Sequence, residues 1–284
     1  MTINKNTKFL IVGLGLLGGS YAKGLTEKGY YVEAITKNSE DISYALSHNM
    51  IKEGTTEVNE QMIRKADIII FALYPKTFIE WIEQYGNLIK PGTVITDVTG
   101  IKGCIVEKIQ QMLPPLVEFI SAHPMAGREV YGIQNSDERI FYGANYIVVT
   151  TNRNTDEGIE ACKRIGEILG FGRISELSPE EHDEMIGFVS QLTHCIAISL
   201  MTCYEHGHLE RYTGDSFRDL TRIANINEKM WSELFLMNKE ALLRQMDIFL
   251  GEFNKLRTSL IDENREEMTE MMKCSTERRK KFDK

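Results

Sequence analysis

The sequence has few cysteines, and they form no recognisable pattern. Five cysteines are scattered over 284 residues, without CxxC spacing. An odd, unpaired set argues against a disulfide framework and against a zinc site built from cysteine pairs. Cys203, His206 and His208 resemble metal ligands, but no second ligand cluster accompanies them. We therefore expect reduced thiols, a cytoplasmic location and no metal.

The chain also lacks an excess of positive charge and a hydrophobic leader. Its formal net charge is -8, and its one basic run, residues 278–281, is terminal. An acidic protein repels nucleic acid and anionic membranes unless it carries a basic patch. No apolar segment precedes the first strand, and we find no apolar run near the roughly 20 residues that span a bilayer. We expect neither nucleic acid nor membrane as a partner.

The first half does contain short apolar runs that alternate with helical patterns. The predicted helices include residues 78–85, 101–112 and 156–169, and the predicted strands are residues 9–12, 30–35, 68–73, 94–97, 119–122 and 146–150. Such alternation is typical of a parallel sheet covered on both faces. We predict an α/β domain over residues 1–177.

From Pro179 onward the pattern is helical only. Ser178 suits an N-cap before Pro179, and acidic residues follow at the positive end of the helix. This helix is predicted to reach about residue 205, and helices at 216–224, 227–237 and beyond follow it. Apolar residues recur there at intervals of three and four, for example Leu242, Met246, Phe249, Leu250 and Phe253. We predict an all-α domain over residues 178–284 whose apolar faces are buried in a homodimer.

A GxGxxG motif follows the first predicted strand and opens a helix. Its residues are Gly13, Leu14, Gly15, Leu16, Leu17 and Gly18. The first glycine permits a tight turn, the second lets a pyrophosphate approach the backbone, and the third lets the helix pack closely on the strand. The helix N-terminus offers free N–H groups to the phosphates. The alternative is a glycine-rich turn without a ligand, but the strand–turn–helix context favours a Rossmann-type dinucleotide site.

The end of the second strand bears on the choice of cofactor. An acidic residue there would bond the bare ribose of NAD. This chain instead has Thr36, Lys37 and Asn38. A hydroxyl, a cation and an amide suit the 2′-phosphate of NADP, although an exposed loop that tolerates either cofactor remains open. We favour NADP slightly over NAD, and further predicted cofactor contacts are Leu73, Tyr74, Pro75 and Thr99.

Three polar segments follow strands of the predicted sheet, at the edge where such sheets bind ligands. They are YPK (74–76), DVTGIKG (97–103) and SAHPMAGRE (121–129). An isolated histidine is usually structural. His123, however, precedes a proline and is predicted on a stiff loop beside the nicotinamide, where a neutral imidazole can act as a general base.

The helical half contributes two further groups of candidates. His194 lies in SQLTH (190–194), where a hydrogen-bonded core histidine is the alternative. Arg218 and Arg222 are four residues apart, which places both guanidinium groups on one helix face. Two cations on one face repel each other unless an anion joins them. The alternative is pairing with local acids such as Asp215 and Asp219.

These segments together resemble the prephenate and arogenate dehydrogenase family. GLGLLGGS (13–20), DVTGIKG, SAHPMAGRE, SQLTH and FRDLTRIA (217–224) occur in the family's order. The resemblance implies a Rossmann domain followed by a helical dimerisation domain. It also implies oxidative decarboxylation of prephenate or arogenate with NAD or NADP, on the route to tyrosine. By the same resemblance His123 contacts the ring hydroxyl, Arg222 binds the ring carboxylate, and His194 and Ser190 line the substrate pocket.

Two positions depart from the family pattern. Many relatives have serine where this chain has Gly100, so a hydroxyl contact near the substrate hydroxyl is expected to be missing. Arg128 stands where relatives have a small polar residue. We expect it either to bind the side-chain carboxylate of the substrate or to narrow the pocket.

Two other functions remain open on the sequence. A β-hydroxyacid or ketopantoate-type dehydrogenase also joins a Rossmann domain to helices, but it uses a lysine on the interdomain helix, and residues 179–205 contain none. A non-catalytic protein that senses dinucleotides would not need His123 together with Arg222. A turnover assay separates this last class from an enzyme.

Overall fold

The computed structural model describes residues 2–128 and 130–282, so Glu129, the last residue of SAHPMAGRE, lies outside the described residues. A six-stranded sheet forms the core of the first half. Its strands are β1 (Lys8–Val12), β2 (Tyr31–Ile35), β3 (Glu53–Thr55), β4 (Ile68–Phe71), β5 (Val94–Asp97) and β6 (Glu118–Phe119). They run in the order β3-β2-β1-β4-β5-β6, and every neighbouring pair is parallel. The predicted parallel sheet is confirmed.

Helices cover both faces of this sheet because its strands are apolar on both sides. In β1, Phe9 and Ile11 enter one core, whereas Leu10 and Val12 enter the other. The first core is completed by α1 (Leu16–Glu27) and α2 (Ser39–Ser47), and the second by α3 (Glu60–Lys65), α4 (Pro75–Tyr85) and α5 (Val106–Met112). This is the predicted Rossmann-type arrangement.

A second, three-stranded sheet differs from the prediction. It contains β7 (Ser121–Met125), β8 (Asn145–Val149) and β9 (Arg173–Leu177), with α6 (Asp156–Leu169) between β8 and β9. β7 pairs antiparallel with β8, and β8 pairs parallel with β9. The single strand predicted at 119–122 is therefore wrong, because the chain leaves the first sheet after β6 and enters the second at Ser121.

His123 consequently lies in the middle of β7, opposite Ile147, and not on the predicted loop. The proline that suggested a loop is tolerated because β7 is an edge strand, where a missing N–H breaks no ladder on the open side. β9 was not predicted, since Arg173-Ile174-Ser175-Glu176-Leu177 has only two apolar residues among five.

The second half is built from helices, and its described residues contain no strand. One continuous helix comprises α7 (Pro179–Ile186), a π-helical segment (Gly187–Leu192) and α8 (Thr193–Thr202). The predicted N-cap is confirmed, because Ser178 and Glu181 form a capping box. The remaining helices are α9 (Asp215–Thr221), α10 (Glu228–Met237), α11 (Lys239–Ile261) and α12 (Arg265–Arg279), with a 3₁₀ turn (Arg222–Ala224) after α9.

The helix Pro179–Thr202 corrects the expectation that no segment is long and apolar enough to span a bilayer. Its 24 residues pass that test on length and composition. The charged residues are confined to its first turns, so the remainder is uncharged although serine, glutamine and histidine interrupt it. The core helix of a folded domain passes the same test. In the single chain 28% of the apolar window is buried, and its buried side chains include the polar Gln191.

Candidate active site

The glycine-rich loop between β1 and α1 has the geometry of a phosphate cradle. Gly13 has φ +98, and a Cβ atom there would collide with the carbonyl of Ala72. A Cβ atom at Gly18 would collide with the carbonyl oxygen of Gly13. At Gly15, the N-cap of α1, no atom of the described residues lies within 4 Å of the Cβ position. This open space at a helix N-terminus fits a dinucleotide pyrophosphate.

The segment after β2 lies beside this loop. The Thr36 hydroxyl accepts a hydrogen bond of 3.4 Å from the backbone N–H of Leu14. Lys37 is exposed, and the Asn38 amide donates to Asp41 at 3.1 Å. These three positions therefore border the cofactor loop, and their contacts with an adenosine ribose remain predictions.

The other predicted cofactor residues fall into two groups. Leu73 packs over Gly13, Tyr74 is exposed, and Pro75 is buried in the first turn of α4. Thr99 is buried, and its hydroxyl bonds Asp97 and donates to the carbonyl of Ile101 at 3.1 Å. The Thr99 hydroxyl is thus bonded to Asp97 and Ile101, and a contact of Thr99 with the cofactor remains a prediction.

A buried ion pair stands at the carboxyl end of β5. The Lys102 ammonium donates to both carboxylate oxygens of Asp97, at 2.9 and 3.1 Å, and to the carbonyl of Ala122 at 2.7 Å. Asp97 also accepts from the hydroxyl of Ser121 at 2.6 Å and from the N–H of Ala122 at 3.0 Å. Burial lowers the pKa of Lys102, and the Asp97 carboxylate opposes that shift. With so many partners, this pair fixes β5 to the start of β7, immediately before His123.

His123 is half-buried and hydrogen-bonded to the helical half of the protein. Its Nδ1 lies 3.0 Å from Nε2 of His182, whose own Nδ1 lies 2.8 Å from Asp183 Oδ1. Burial lowers the pKa of His123 well below 6.5, and the nearby His182 and Lys102 lower it further. His123 is therefore neutral at neutral pH, which is the state that a general base requires.

Gly100 faces the other side of the His123 ring. A Cβ atom at Gly100 would lie 3.8 Å from Nε2 and from Cε1 of His123. The structure thus brings together two residues that the sequence placed near the substrate hydroxyl. The ring nitrogen on this side is the one directed away from His182.

The helical half holds a second pair of predicted residues. The ring of His194 contacts the carbonyl of Ser190 through Nδ1 at 2.9 Å. Its ring centroid also lies 3.7 Å from that of Trp231, on α10. Ser190 and His194 are therefore neighbours, as a shared pocket requires, and Trp231 adds an aromatic surface that sequence reasoning missed.

The three arginines are placed differently. Arg222 opens the 3₁₀ turn that packs against α8. Arg218 lies 3.5 Å from Asp215 and donates to the carbonyl of Thr213, so the alternative pairing considered for it is the one observed. Arg128 lies 3.7 Å from Asp137, a carboxylate that Arg139 also binds. The Arg218–Asp215 pair is exposed and therefore weak, whereas Arg128 is exposed but its partner Asp137 is buried. Both arginines remain predicted substrate contacts.

The five cysteines are all free, and Cys162 alone among them is buried. Within residues 2–128 and 130–282, no cluster of three or more His, Cys, Asp or Glu side chains has the arrangement of a metal site.

Sequence comparison assigns both halves of the chain to one family. Residues 21–173 match the nucleotide-binding domain of prephenate dehydrogenase, and residues 178–274 match its dimerization domain. The chain belongs to the prephenate dehydrogenase family. Together the two matches cover most of the sequence, including the long helix that begins at Pro179, whereas the glycine-rich loop (13–18) precedes the first match.

Individual relatives agree with this assignment. The prephenate dehydrogenase of Bacillus subtilis is 29% identical over 95% of this chain and 74% of the relative. The cyclohexadienyl dehydrogenase of Zymomonas mobilis is 27% identical over 98% of this chain and 96% of the relative. The crystal structure of Aquifex aeolicus prephenate dehydrogenase with hydroxyphenyl propionate and NAD+ superposes with a TM-score of 0.90 at 30% identity, covering 98% of both chains.

Sequence reasoning missed the residues behind His123. No role was predicted for His182, and Asp183 was counted only among the acidic residues at the positive end of the helix. A signal was present, because His182 and Ile186 are four residues apart on an amphipathic helix and both are buried. A histidine on the apolar face of a helix that follows the cofactor domain indicates a buried hydrogen-bond partner in that domain.

Proposed function

We propose that this member of the prephenate dehydrogenase family catalyses the oxidative decarboxylation of prephenate or arogenate with NAD(P)+, in tyrosine biosynthesis. The products are 4-hydroxyphenylpyruvate or tyrosine. The observation that carries the proposal is His123, hydrogen-bonded to His182 and next to Gly100 after β5, in a chain that matches both domains of the family.

The proposed chemistry matches the groups in the cleft. A nicotinamide dinucleotide held at the GxGxxG loop would supply the acceptor for a hydride from the ring carbon that bears the hydroxyl. Neutral His123 accepts the hydroxyl proton through Nε2, so the carbon becomes a carbonyl. The bond from the ring to its carboxylate then breaks, carbon dioxide leaves, and the electron pair makes the ring aromatic. The resulting oxygen anion recovers a proton as the phenol.

We propose Arg222 for the ring carboxylate, because a guanidinium can bind it through two parallel hydrogen bonds. Ser190 and His194 are proposed to line the same pocket, with Gly100 beside the substrate hydroxyl. Arg128 and Arg218 remain further candidates for the substrate side chain. The division between cofactor and helical domains is proposed at residues 177 and 178, between β9 and the N-cap of α7.

NADP is the slightly favoured cofactor in this proposal. The support is the absence of an acidic residue at Thr36, whose hydroxyl already lies beside the glycine-rich loop, together with the exposed cation of Lys37. The cofactor residues proposed with them are those of the GxGxxG motif, Leu73, Tyr74, Pro75 and Thr99.

We also propose a cytoplasmic homodimer formed by the helical half. The helices α9, α10 and α12 have no buried residue among those described. Large apolar side chains on the outer faces are exposed in the isolated chain, including Phe188, Leu250, Phe253 and Leu260. A second copy would cover them. Light scattering at micromolar concentration is expected to give twice the chain mass, and a monomer would refute this assembly.

The function is tested by assaying prephenate and arogenate, each with NAD+ and NADP+. We expect the reduced nucleotide and carbon dioxide to appear together with at least one substrate. His123→Asn is the matched variant, and its turnover is expected to fall by about 10²–10⁴ while cofactor binding persists. A chain that binds dinucleotide but converts neither substrate would instead be the non-catalytic sensor. Oxidation of β-hydroxyacids would indicate the other dehydrogenase class.

A further inference from the structure

A line of three side chains runs from β7 into the helical half. Nδ1 of His123 lies 3.0 Å from Nε2 of His182, and Nδ1 of His182 lies 2.8 Å from Asp183. His182 is fully buried and Asp183 nearly so. None of the chemistry proposed above uses His182 or Asp183, although both carry groups that are costly to bury.

The contacts of Asp183 determine which nitrogens carry protons. Its carboxylate accepts the backbone N–H of Lys102 at 2.9 Å and of Gly103 at 2.7 Å. An acceptor of this kind requires Nδ1 of His182 to be the protonated nitrogen. Burial lowers the pKa of His182, so its Nε2 is unprotonated at neutral pH. That lone pair can face Nδ1 of His123 only if His123 donates, because two unprotonated nitrogens at 3.0 Å repel each other.

We propose that His182 and Asp183 are positioning residues that hold His123 with its proton on Nδ1, so that Nε2, on the Gly100 side, is the acceptor for the substrate proton. The assignment rests on the proposed function for its catalytic meaning. The assigned tautomer of His123 does not depend on that function, because it can be measured without substrate.

The same contacts link the base to the docking of the two domains. His182 and Asp183 lie on α7, whereas Lys102 and Gly103 follow β5 in the cofactor domain. Asp183 therefore binds the loop that carries Gly100 and, through His182, the ring of His123. The charged groups around this pair include Lys102 on the cofactor side, Asp183, which binds His182, on the helical side, and Asp97, which binds Lys102. A proton received by His123 is stabilised by Asp183 through His182.

The first experiment reads the tautomer directly. The protein contains six histidines, so selective ¹⁵N-histidine labelling gives a small set of ring signals, and His123→Asn identifies the pair that belongs to His123. Long-range ¹H–¹⁵N spectra at pH 7.5 distinguish a protonated Nδ1 from a protonated Nε2. We expect Nδ1–H for His123 in the unaltered chain, and Nε2–H there would overturn the proposal.

The second experiment removes the acceptor. His182→Leu keeps an apolar volume but cannot accept from His123, whereas His182→Gln offers an amide oxygen in its place. We expect the leucine variant to lose the Nδ1–H signature and at least about tenfold in kcat, with KM for the cofactor unchanged. The glutamine variant should recover part of both. His48→Leu, at an exposed position after α2, is the matched control and should change neither.

The outcomes separate the two proposals. Nδ1–H in a chain that converts neither substrate leaves the positioning role intact and refutes the proposed function. Normal turnover with Nε2–H, or an unchanged kcat and tautomer in His182→Leu, refutes the positioning role and leaves the function intact. If the leucine variant fails to fold, the glutamine variant and the spectrum of the unaltered chain still decide.

Discussion

A Cβ atom at Gly100 would lie 3.8 Å from Nε2 of His123, the ring nitrogen that faces away from His182. The backbone of Gly100 has no left-handed φ, so an L-residue fits there without strain. A serine hydroxyl on that Cβ could reach hydrogen-bonding distance of Nε2 and of a substrate hydroxyl bound to it.

Gly100→Ser is therefore expected to raise kcat/KM by about two- to tenfold, the range of one neutral hydrogen bond. Gly100→Ala is the control, because it adds the Cβ atom without the hydroxyl and should not improve kcat/KM. Steady-state kinetics on both variants measure the difference. Equal effects of serine and alanine would mean that the hydroxyl does not reach the reacting groups.

Part of the fold and of this site could be predicted from the sequence alone. The order of apolar runs predicted the parallel sheet, because each strand has to be buried on both faces. The glycine motif predicted the cofactor loop, because Gly13 and Gly18 occupy places where a Cβ atom collides with backbone. Both predictions rest on local sequence patterns, although the carbonyl that a Cβ atom at Gly13 would meet, that of Ala72, is distant in sequence.

The site behind His123 depends on contacts distant in sequence. His123 and His182 are 59 residues apart, and Lys102 and Asp183 are 81 apart. The sequence around Pro124 does not show that the chain changes sheets between β6 and β7, because that change depends on the pairing of β7 with β8.

The pH dependence of the reaction should follow the lowered pKa of His123. Burial, with His182 and Lys102 nearby, lowers this pKa well below 6.5, and a base is lost only when it becomes protonated. The kcat/KM plateau is therefore expected to continue as pH falls through 6.5, and the acid limb should lie below that value. Circular dichroism at each pH checks that the protein remains folded. An acid limb centred at or above pH 6.5 would contradict this environment for His123.

Thr36 provides a test of cofactor preference. Thr36→Asp places a carboxylate beside the glycine-rich loop, where it can bond a bare ribose but repels a 2′-phosphate. KM for NADP+ is expected to rise at least about tenfold relative to NAD+, because like charges in close contact cost several kcal/mol. Thr36→Asn is the control, because asparagine has nearly the same shape as aspartate but carries no charge. An unchanged preference would show that Thr36 does not border the adenosine ribose.

Arg222 separates substrate recognition from structural support. If its guanidinium binds the ring carboxylate, Arg222→Ala should weaken substrate binding by roughly 2–4 kcal/mol, the range for truncating a charged partner at a buried contact. KM for the substrate would then rise strongly, while cofactor affinity and melting temperature stay nearly constant. Arg222→Lys should recover only part of the loss, because an ammonium cannot make two parallel hydrogen bonds to a carboxylate.

The structural alternative for Arg222 makes the opposite prediction. Were its main role an ion pair within the helical half, for example with Asp219, the alanine variant would melt at a lower temperature and KM would hardly change. Arg211→Ala is the control, since that arginine lies in the same half of the chain, in an exposed pair with Glu210 at 3.8 Å, and is not proposed to bind substrate. Melting temperature and KM measured on the same preparations decide, because substrate recognition moves only KM and structural support moves mainly the melting temperature.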